Sequence, residues 1–102
     1  MAVIGTFTRD ETGIYTGTLR TLTVRAKVTI ALIDKASATA PDFRVTAQGA
    51  EIGAGWTHTA KGTRAAYVRI KLVDPNFPQP LWANLVQKAD NKFDLLWGRW
   101  SL

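Results

Sequence analysis

The sequence predicts an all-β protein, a small antiparallel meander barrel or sandwich of about 7–8 short strands with little or no helix. Two stretches, residues 24–32 and 67–72, alternate apolar with charged or polar side chains. A β-strand sends successive side chains to opposite faces, so each stretch has one apolar and one cationic face. Turn signals recur at strand-length spacing, which is typical of antiparallel sheets joined by hairpins.

Turn signals divide the chain into eight predicted strands. The polar run 9–13 ends in glycine and suits a hairpin loop, while 60–63 and 89–92 form further tight turns. The small residues of 34–41 are predicted as a surface loop, and the prolines of 74–80 make a rigid connection that no central strand can contain. The strands are predicted at residues 3–8, 14–22, 23–33, 43–48, 51–59, 64–73, 81–88 and 93–100.

Alternate apolar positions give the predicted core: Ile4, Leu19, Val24, Val28, Ile30, Leu32, Phe43, Val45, Ile52, Val68, Ile70, Leu72, Leu85, Val86 and Leu95. Trp56 shares a face with Ile52 and Ala54 and is also predicted to be buried. Gly53 and Gly55 predict a bulge, a bend or a close backbone approach within the fifth strand.

Composition limits the classes of protein to consider. A chain of 102 residues with 46% hydrophobic residues predicts one globular domain, residues 1–102. The absence of cysteine excludes disulfides and thiolate metal sites. No signal-peptide pattern and no membrane-spanning apolar run is present, so we expect a cytoplasmic protein. The formal charge of +5 favours polyanionic or acidic partners.

Catalytic and metal-binding signals are weak, and the chain is predicted not to be an enzyme, with no catalytic residue, metal or cofactor. The one histidine, His58, has no paired nucleophile, and the dispersed acidic residues show no metal-ligand spacing. Gly53-Ala54-Gly55 lies inside a predicted strand and lacks the helix of a phosphate loop. One enzymatic alternative stays open, in which Asp42 and Asp74 meet as a carboxylate pair.

Basic residues at alternate positions indicate a cationic sheet face. Arg25 with Lys27 and Arg69 with Lys71 share faces if their strands are regular, and the two pairs are predicted to form one continuous cationic patch if both strands lie in the same sheet. Cationic sheets with aromatic platforms bind single-stranded nucleic acid, whereas ordinary solvated surface positions are the competing explanation. The predicted nucleic-acid-binding residues are Arg25, Lys27, Arg69, Lys71, Arg44 and Tyr67.

Three aromatic residues near the proline-rich connection and the C-terminus support an alternative. Phe77, Trp82 and Trp100 are predicted as anchors for a protein partner, since exposed aromatic residues are frequent hot spots.

Six segments identify a family. They read IGTF at residues 4–7, GTLRTL at 17–22, APDFRV at 40–45, EIGAGW at 51–56, KLVDPNFPQPLWANL at 71–85 and LLWGRW at 95–100. With these segments the chain resembles the proteobacterial domain of unknown function 736 over nearly its whole length. The resemblance implies a small bacterial protein, often carried on plasmids and other mobile elements near transfer genes. It implies no activity and no catalytic residues.

The leading functional hypothesis is therefore a non-enzymatic binding module encoded on a mobile element, whose cationic sheet face contacts single-stranded nucleic acid without sequence preference. The alternative is a protein-interaction module, such as an inhibitor of a host defence complex or a conjugation accessory factor. The sequence leaves the oligomeric state open.

Overall fold

The structure, a computed structural model, describes residues 2–35, 37–62, 65–75 and 77–97. Its secondary structure is a succession of strands, and no helix is present in these ranges. In chain order the strands are β1 (Ala2–Arg9), β2 (Tyr15–Arg20), β3 (Arg25–Leu32), β4 (Phe43–Ala47), β5 (Ala50–Thr59), β6 (Ala66–Leu72), β7 (Leu81–Ala89) and β8 (Lys92–Trp97).

The strands form a closed antiparallel barrel in which each pairs with its neighbours in sequence and β1 also pairs with β8. The all-β prediction is confirmed, and of the two predicted architectures the barrel is the one observed. Closure places the connections after β1, β3, β5 and β7 at one end, here called the upper end. The connections after β2, β4 and β6 lie at the lower end.

Alternation along the strands fills the barrel interior with apolar side chains. Phe43, Gly55, Ile70 and Ala83 lie opposite one another on four successive strands and all face inward. The buried hydrophobic residues are Ile4, Phe7, Tyr15, Leu19, Val28, Ile30, Phe43, Val45, Val68, Ile70, Leu72, Ala83, Leu85, Phe93 and Leu95. Val24 and Ile52, predicted to be buried, are partly buried and pack against this core. Val86 is also only partly buried.

Glycines fit this interior where two backbones or large side chains come close. The register of β4 and β5 shifts between Val45 and Thr46, opposite Gly53, which confirms the predicted irregularity in β5. A Cβ on Gly53 would collide with the carbonyl oxygen of Lys71, and one on Gly55 would press on the Ile70 and Val68 side chains. The space beside these glycines is therefore occupied by β6.

Three local predictions are wrong. Residues 21–24 form a turn rather than strand, because the Thr21 N–H donates to the Val24 carbonyl at 2.8 Å and the Thr21 hydroxyl accepts from the Val24 N–H at 3.1 Å. Leu32 is 60% exposed because it ends β3 at the barrel rim. Trp56 lies on the outer surface, half-buried, because its register partner Arg69 faces outward. The predicted strand residues 98–100 lie outside the described residues.

Among the described residues there is no helix that could cross a membrane.

Candidate binding face on the outer surface of the barrel

Strands β5, β6 and β7 bring two tryptophans and two cations together on the outside of the barrel. Trp56 on β5 lies opposite Arg69 on β6, and Lys71 on β6 lies opposite Trp82 on β7. All four side chains point outward because their neighbours in sequence, such as Ile70, face the core. These residues, Trp56, Arg69, Lys71 and Trp82, are called the indole face.

The two indole rings meet above β6, which separates their strands. Their centroids lie 6.0 Å apart with an angle of 35° between the ring planes. Trp82 remains 39% exposed, while Trp56 is half-buried. An exposed indole supported by a second ring presents a large apolar surface that is held in a fixed position.

Both cations lie against the exposed indole. The Arg69 guanidinium carbon lies 4.8 Å from the Trp82 ring centroid, and the Lys71 ammonium nitrogen lies 5.7 Å from it. Both distances are within cation–π range. Arg69 also donates from Nη1 to Oδ1 of Asn84 at 3.2 Å, and Asn84 is only 3% exposed. A buried amide thus fixes the orientation of the guanidinium group.

The β3–β4 connection borders the indole face and is attached to it by hydrogen bonds. Nε1 of Trp56 donates to the Thr39 carbonyl at 3.2 Å. The Asp42 carboxylate accepts a bond of 2.9 Å from the Thr57 N–H and forms a 3.0 Å ion pair with Lys35. The Thr57 N–H and the Lys35 ammonium group together hold the pKa of Asp42 below its ordinary value. Asp42 is thus an ionised anchor beside Trp56.

The cations of the indole face have no acidic partner in the part of the chain that the structure describes. Within the described residues, no carboxylate lies within the 4.0 Å ion-pair distance of Arg69 or Lys71. The ion pairs among the described residues join other side chains: Lys35 with Asp42 at 3.0 Å, Arg44 with Glu51 at 2.8 Å and Lys88 with Asp94 at 4.0 Å. The face therefore offers two cations to an anionic partner.

The basic residues of β3 are not part of this face. Pairing across β5 and β4 places Lys71 of β6 at the same height as Ala31 of β3. Strand β3 lies three strands away from β6 around the barrel, and Lys27 lies four residues before Ala31 along β3. At standard strand spacings this is roughly 20 Å over the surface. The prediction of one continuous cationic patch from Arg25 and Lys27 to Arg69 and Lys71 is therefore wrong, because the closed barrel turns the two pairs in different directions.

The other two predicted nucleic-acid contacts have partners of their own. Arg44 faces outward on β4 and pairs with Glu51, which reduces its charge toward a ligand. Tyr67 shares the outer side of β6 with Arg69 and Lys71 but stacks on His58, with ring centroids 5.7 Å apart. Tyr67 therefore extends the aromatic surface toward the upper end.

The predicted protein-interaction residues are separated. Trp82 belongs to the indole face. Phe77 is half-buried, packs against the core and borders a cavity at the lower end. Trp100 lies outside the described residues.

The enzymatic alternative requires Asp42 and Asp74 to meet. Asp42 precedes β4 at the upper end, and Asp74 follows β6 at the lower end, so the carboxylate pair considered above does not form. The part of the chain that the structure describes has no group of three or more histidine or acidic residues able to hold a metal ion. The side chains of the indole face can stack, donate hydrogen bonds and attract anions.

Sequence reasoning missed Trp56 and Asn84 as members of the site. The pattern predicts Trp56 in the core because it alternates with Ile52 and Ala54, although it alternates equally with the polar His58. Asn84 is the one polar side chain in the run of residues 81–86, and it shares a face with Trp82. A lone amide in an apolar strand is a usable signal, because buried polar groups need a partner.

Comparison with known proteins places the chain beside a family. A family model described as "Protein of unknown function (DUF736)" matches residues 3–100. No curated protein and no solved structure matches the chain.

Proposed function

We propose a function for this chain, which belongs to the DUF736 family, whose description assigns no activity. It is a non-enzymatic binding module that holds single-stranded nucleic acid on the indole face. The observation that carries the proposal is the exposed Trp82 ring with the Arg69 and Lys71 cations beside it and no acidic partner among the described residues. A base stacks on the indole, and the adjacent phosphates meet the cations.

The geometry favours single strands over duplexes. Bases in a duplex are stacked on one another, so an indole ring reaches a base face only where the strand is unpaired. The indole face is the outer wall of a barrel, and the strands beneath it are fixed by pairing on both sides. Contacts of this kind read no base edges, so binding is expected to tolerate any sequence.

Fluorescence anisotropy with a labelled single-stranded oligonucleotide, and with its duplex, tests this proposal at about 50 mM and about 200 mM salt. Trp82→Ala removes the stacking platform and is expected to weaken binding by about five- to a hundredfold. Lys71→Gln removes one phosphate contact and is expected to reduce the salt slope by about 0.7. Arg69 is left in place because its loss would deprive buried Asn84 of a donor.

Lys27→Gln is the matched control, since it also removes one outward lysine from a strand, but three strands away. It should leave both the affinity and the salt slope close to those of the wild type. The proposal is rejected if the protein does not bind at low salt, if binding is indifferent to salt, or if Lys27→Gln and Lys71→Gln have equal effects. Equal affinity for the duplex rejects the single-strand preference.

A protein-interaction role is the second candidate, and the same exposed Trp82 beside Arg69 favours it. Tryptophan and arginine dominate interface hot spots. Candidate partners include a host defence complex that this protein inhibits and a conjugation complex that it assists. Pull-down from a host lysate, with and without nuclease, separates the two candidates. Partners that persist after nuclease treatment and disappear with Trp82→Ala support the protein-interaction role.

The proposed organism, genetic location and compartment of this module rest on the family resemblance. We propose that it is a bacterial protein, encoded on a plasmid or another mobile element and active in the cytoplasm. The adjacent genes test this: transfer genes beside it support the assignment, and an invariant chromosomal housekeeping neighbourhood contradicts it.

A further inference from the structure

A second candidate site lies at the lower end of the barrel, on residues other than those of the indole face, although its lining residue Leu81 directly precedes Trp82. There a cavity of about 840 Å³ opens between the start of β1, the turn of residues 21–24, the β6–β7 connection and the end of β8. Its walls are mostly apolar and include Val3, Leu22, Val24, Phe77, Leu81 and Trp97. Cavities of this size at the mouths of β-barrels are typical places for small ligands.

The cavity has a cationic side. Arg20 lines it, and Arg25 lies directly opposite Arg20 in the register of β2 and β3. Within the described residues, neither guanidinium has a carboxylate within 4.0 Å, whereas Arg44 and Lys35 each have one. Two adjacent unneutralised guanidinium groups attract an anion and hold a carboxylate through paired hydrogen bonds.

The turn beside the cavity exposes a large apolar side chain. Leu22 is fully exposed at the cavity wall, and Val3 on β1 is also exposed there. Isolated exposed leucines are ordinary, but here the exposed residues continue the apolar lining of the cavity. A ligand with an apolar part would remove this surface from water.

From this arrangement we propose that the lower-end cavity binds a small amphipathic anion, an aliphatic chain that ends in one carboxylate. The chain lies against Val24, Phe77 and Leu81, and the carboxylate is held by Arg20 with Arg25 beside it. The guanidinium groups select an anionic end, and the apolar walls select the hydrocarbon. The site shares no residue with the indole face, because its lining comes from the opening of the barrel rather than from its side.

Octanoate, and 1-octanol as its uncharged counterpart, are the probes for the wild-type chain in a ¹H–¹⁵N NMR titration. Octanoate is expected to give saturable shifts at Val3, Leu22, Val24 and Leu81, and 1-octanol to bind at least about tenfold more weakly. Arg20→Gln should weaken octanoate binding by at least about tenfold as well. Lys61→Gln, which removes one charge from the β5–β6 connection at the other end, should leave it unchanged.

A second pair of variants tests the apolar wall without disturbing the core. Leu22→Glu places a negative charge at the cavity and should abolish octanoate binding. Leu32→Glu changes another exposed leucine, at the upper end, and should have no effect. Both leucines are exposed, so both variants are expected to remain folded.

The proposal is overturned by any of four results: no saturable shift, shifts confined to Trp56 and Trp82, equal binding of octanoate and 1-octanol, or equal effects of Arg20→Gln and Lys61→Gln. Dimerisation that buries the same residues and excludes octanoate also overturns it, because a second copy is then the occupant. Since the oligonucleotide assay uses other residues, failure of either proposal leaves the other intact.

Discussion

Replacing Asp42 tests how the β3–β4 connection is held beside Trp56. The carboxylate accepts the Thr57 N–H and pairs with Lys35, while the Asp42 backbone N–H donates to the Gly55 carbonyl at 2.9 Å. Asp42→Ala removes the two side-chain contacts and keeps the backbone bond. The connection should loosen where the Thr39 carbonyl accepts from Trp56, and the Trp56 fluorescence should change.

The size of the effect follows from the exposure of the groups. A hydrogen bond to a charged group contributes about 1.5 kcal/mol at the low end of its range, which applies because the Asp42 side chain is 23% exposed. The ion pair with the more exposed Lys35 adds about 0.5 kcal/mol. Asp42→Ala should therefore lower the free energy of unfolding by about 2 kcal/mol and the Tm by about 10 °C.

Two further variants separate the contributions. Asp42→Asn keeps an oxygen that can accept the Thr57 N–H and should cost about 1 kcal/mol. Lys35→Gln removes only the ion pair and should cost about 0.5 kcal/mol. Urea unfolding gives all three values. If Asp42→Ala costs no more than Lys35→Gln, the bond to Thr57 does not hold the connection, and the reasoning is refuted.

The difference in unfolding free energy between the wild type and Asp42→Ala should decrease at acidic pH. The folded-state pKa of Asp42 is lowered from 3.8, chiefly by the Thr57 N–H and then by Lys35. Because this pKa is lower in the folded state, the ionised carboxylate stabilises the fold at pH values above the unfolded-state pKa. The stabilisation is lost as the pH falls through the folded-state pKa. The gap between wild type and Asp42→Ala should stay constant from about pH 7 to 5 and narrow below about 3.8. A gap that widens in acid contradicts this assignment.

Two other predictions concern the packing of the barrel. Gly17→Ala forces a Cβ into the Thr6 carbonyl and the Phe7 backbone and should cost about 1–3 kcal/mol in thermal unfolding, so a variant as stable as wild type would show that β1 and β2 are not this close. Ile70→Ala leaves a cavity at a fully buried position and should lower the free energy of unfolding by about 2–5 kcal/mol. Leu22→Ala, at an exposed position, should lower it by less than about 0.5 kcal/mol. Similar values for the two variants would show that Ile70 does not face the barrel interior.

The fold was predictable because alternation and turn chemistry agree along most of the chain. Val28 and Ile30, or Val68 and Ile70, recur every second residue and fix the inward face of their strands. Local pattern did not separate a barrel from a sandwich, because β1 pairs with β8 from the other end of the sequence.

The candidate site was only partly predictable for the same reason. Arg69 and Lys71 could be assigned to one face because both lie on β6. Their relation to Arg25 and Lys27 depends on how many strands lie between, and alternation does not encode this. Trp56 on β5 contacts Trp82 on β7 across the intervening strand β6. This contact can be inferred only once the register of the three strands is known.

The pairing of β1 with β8 also determines how this molecule can meet others. Each described strand has a hydrogen-bonded neighbour on both sides over much of its length, so the sheet has no free edge strand. A closed sheet offers no edge strand to which a peptide or a second copy would add a neighbouring strand. Recognition therefore falls to outward side chains and to the open ends of the cylinder. Exposed positions of this kind tolerate replacement at little cost in stability, so binding can change while the barrel is kept.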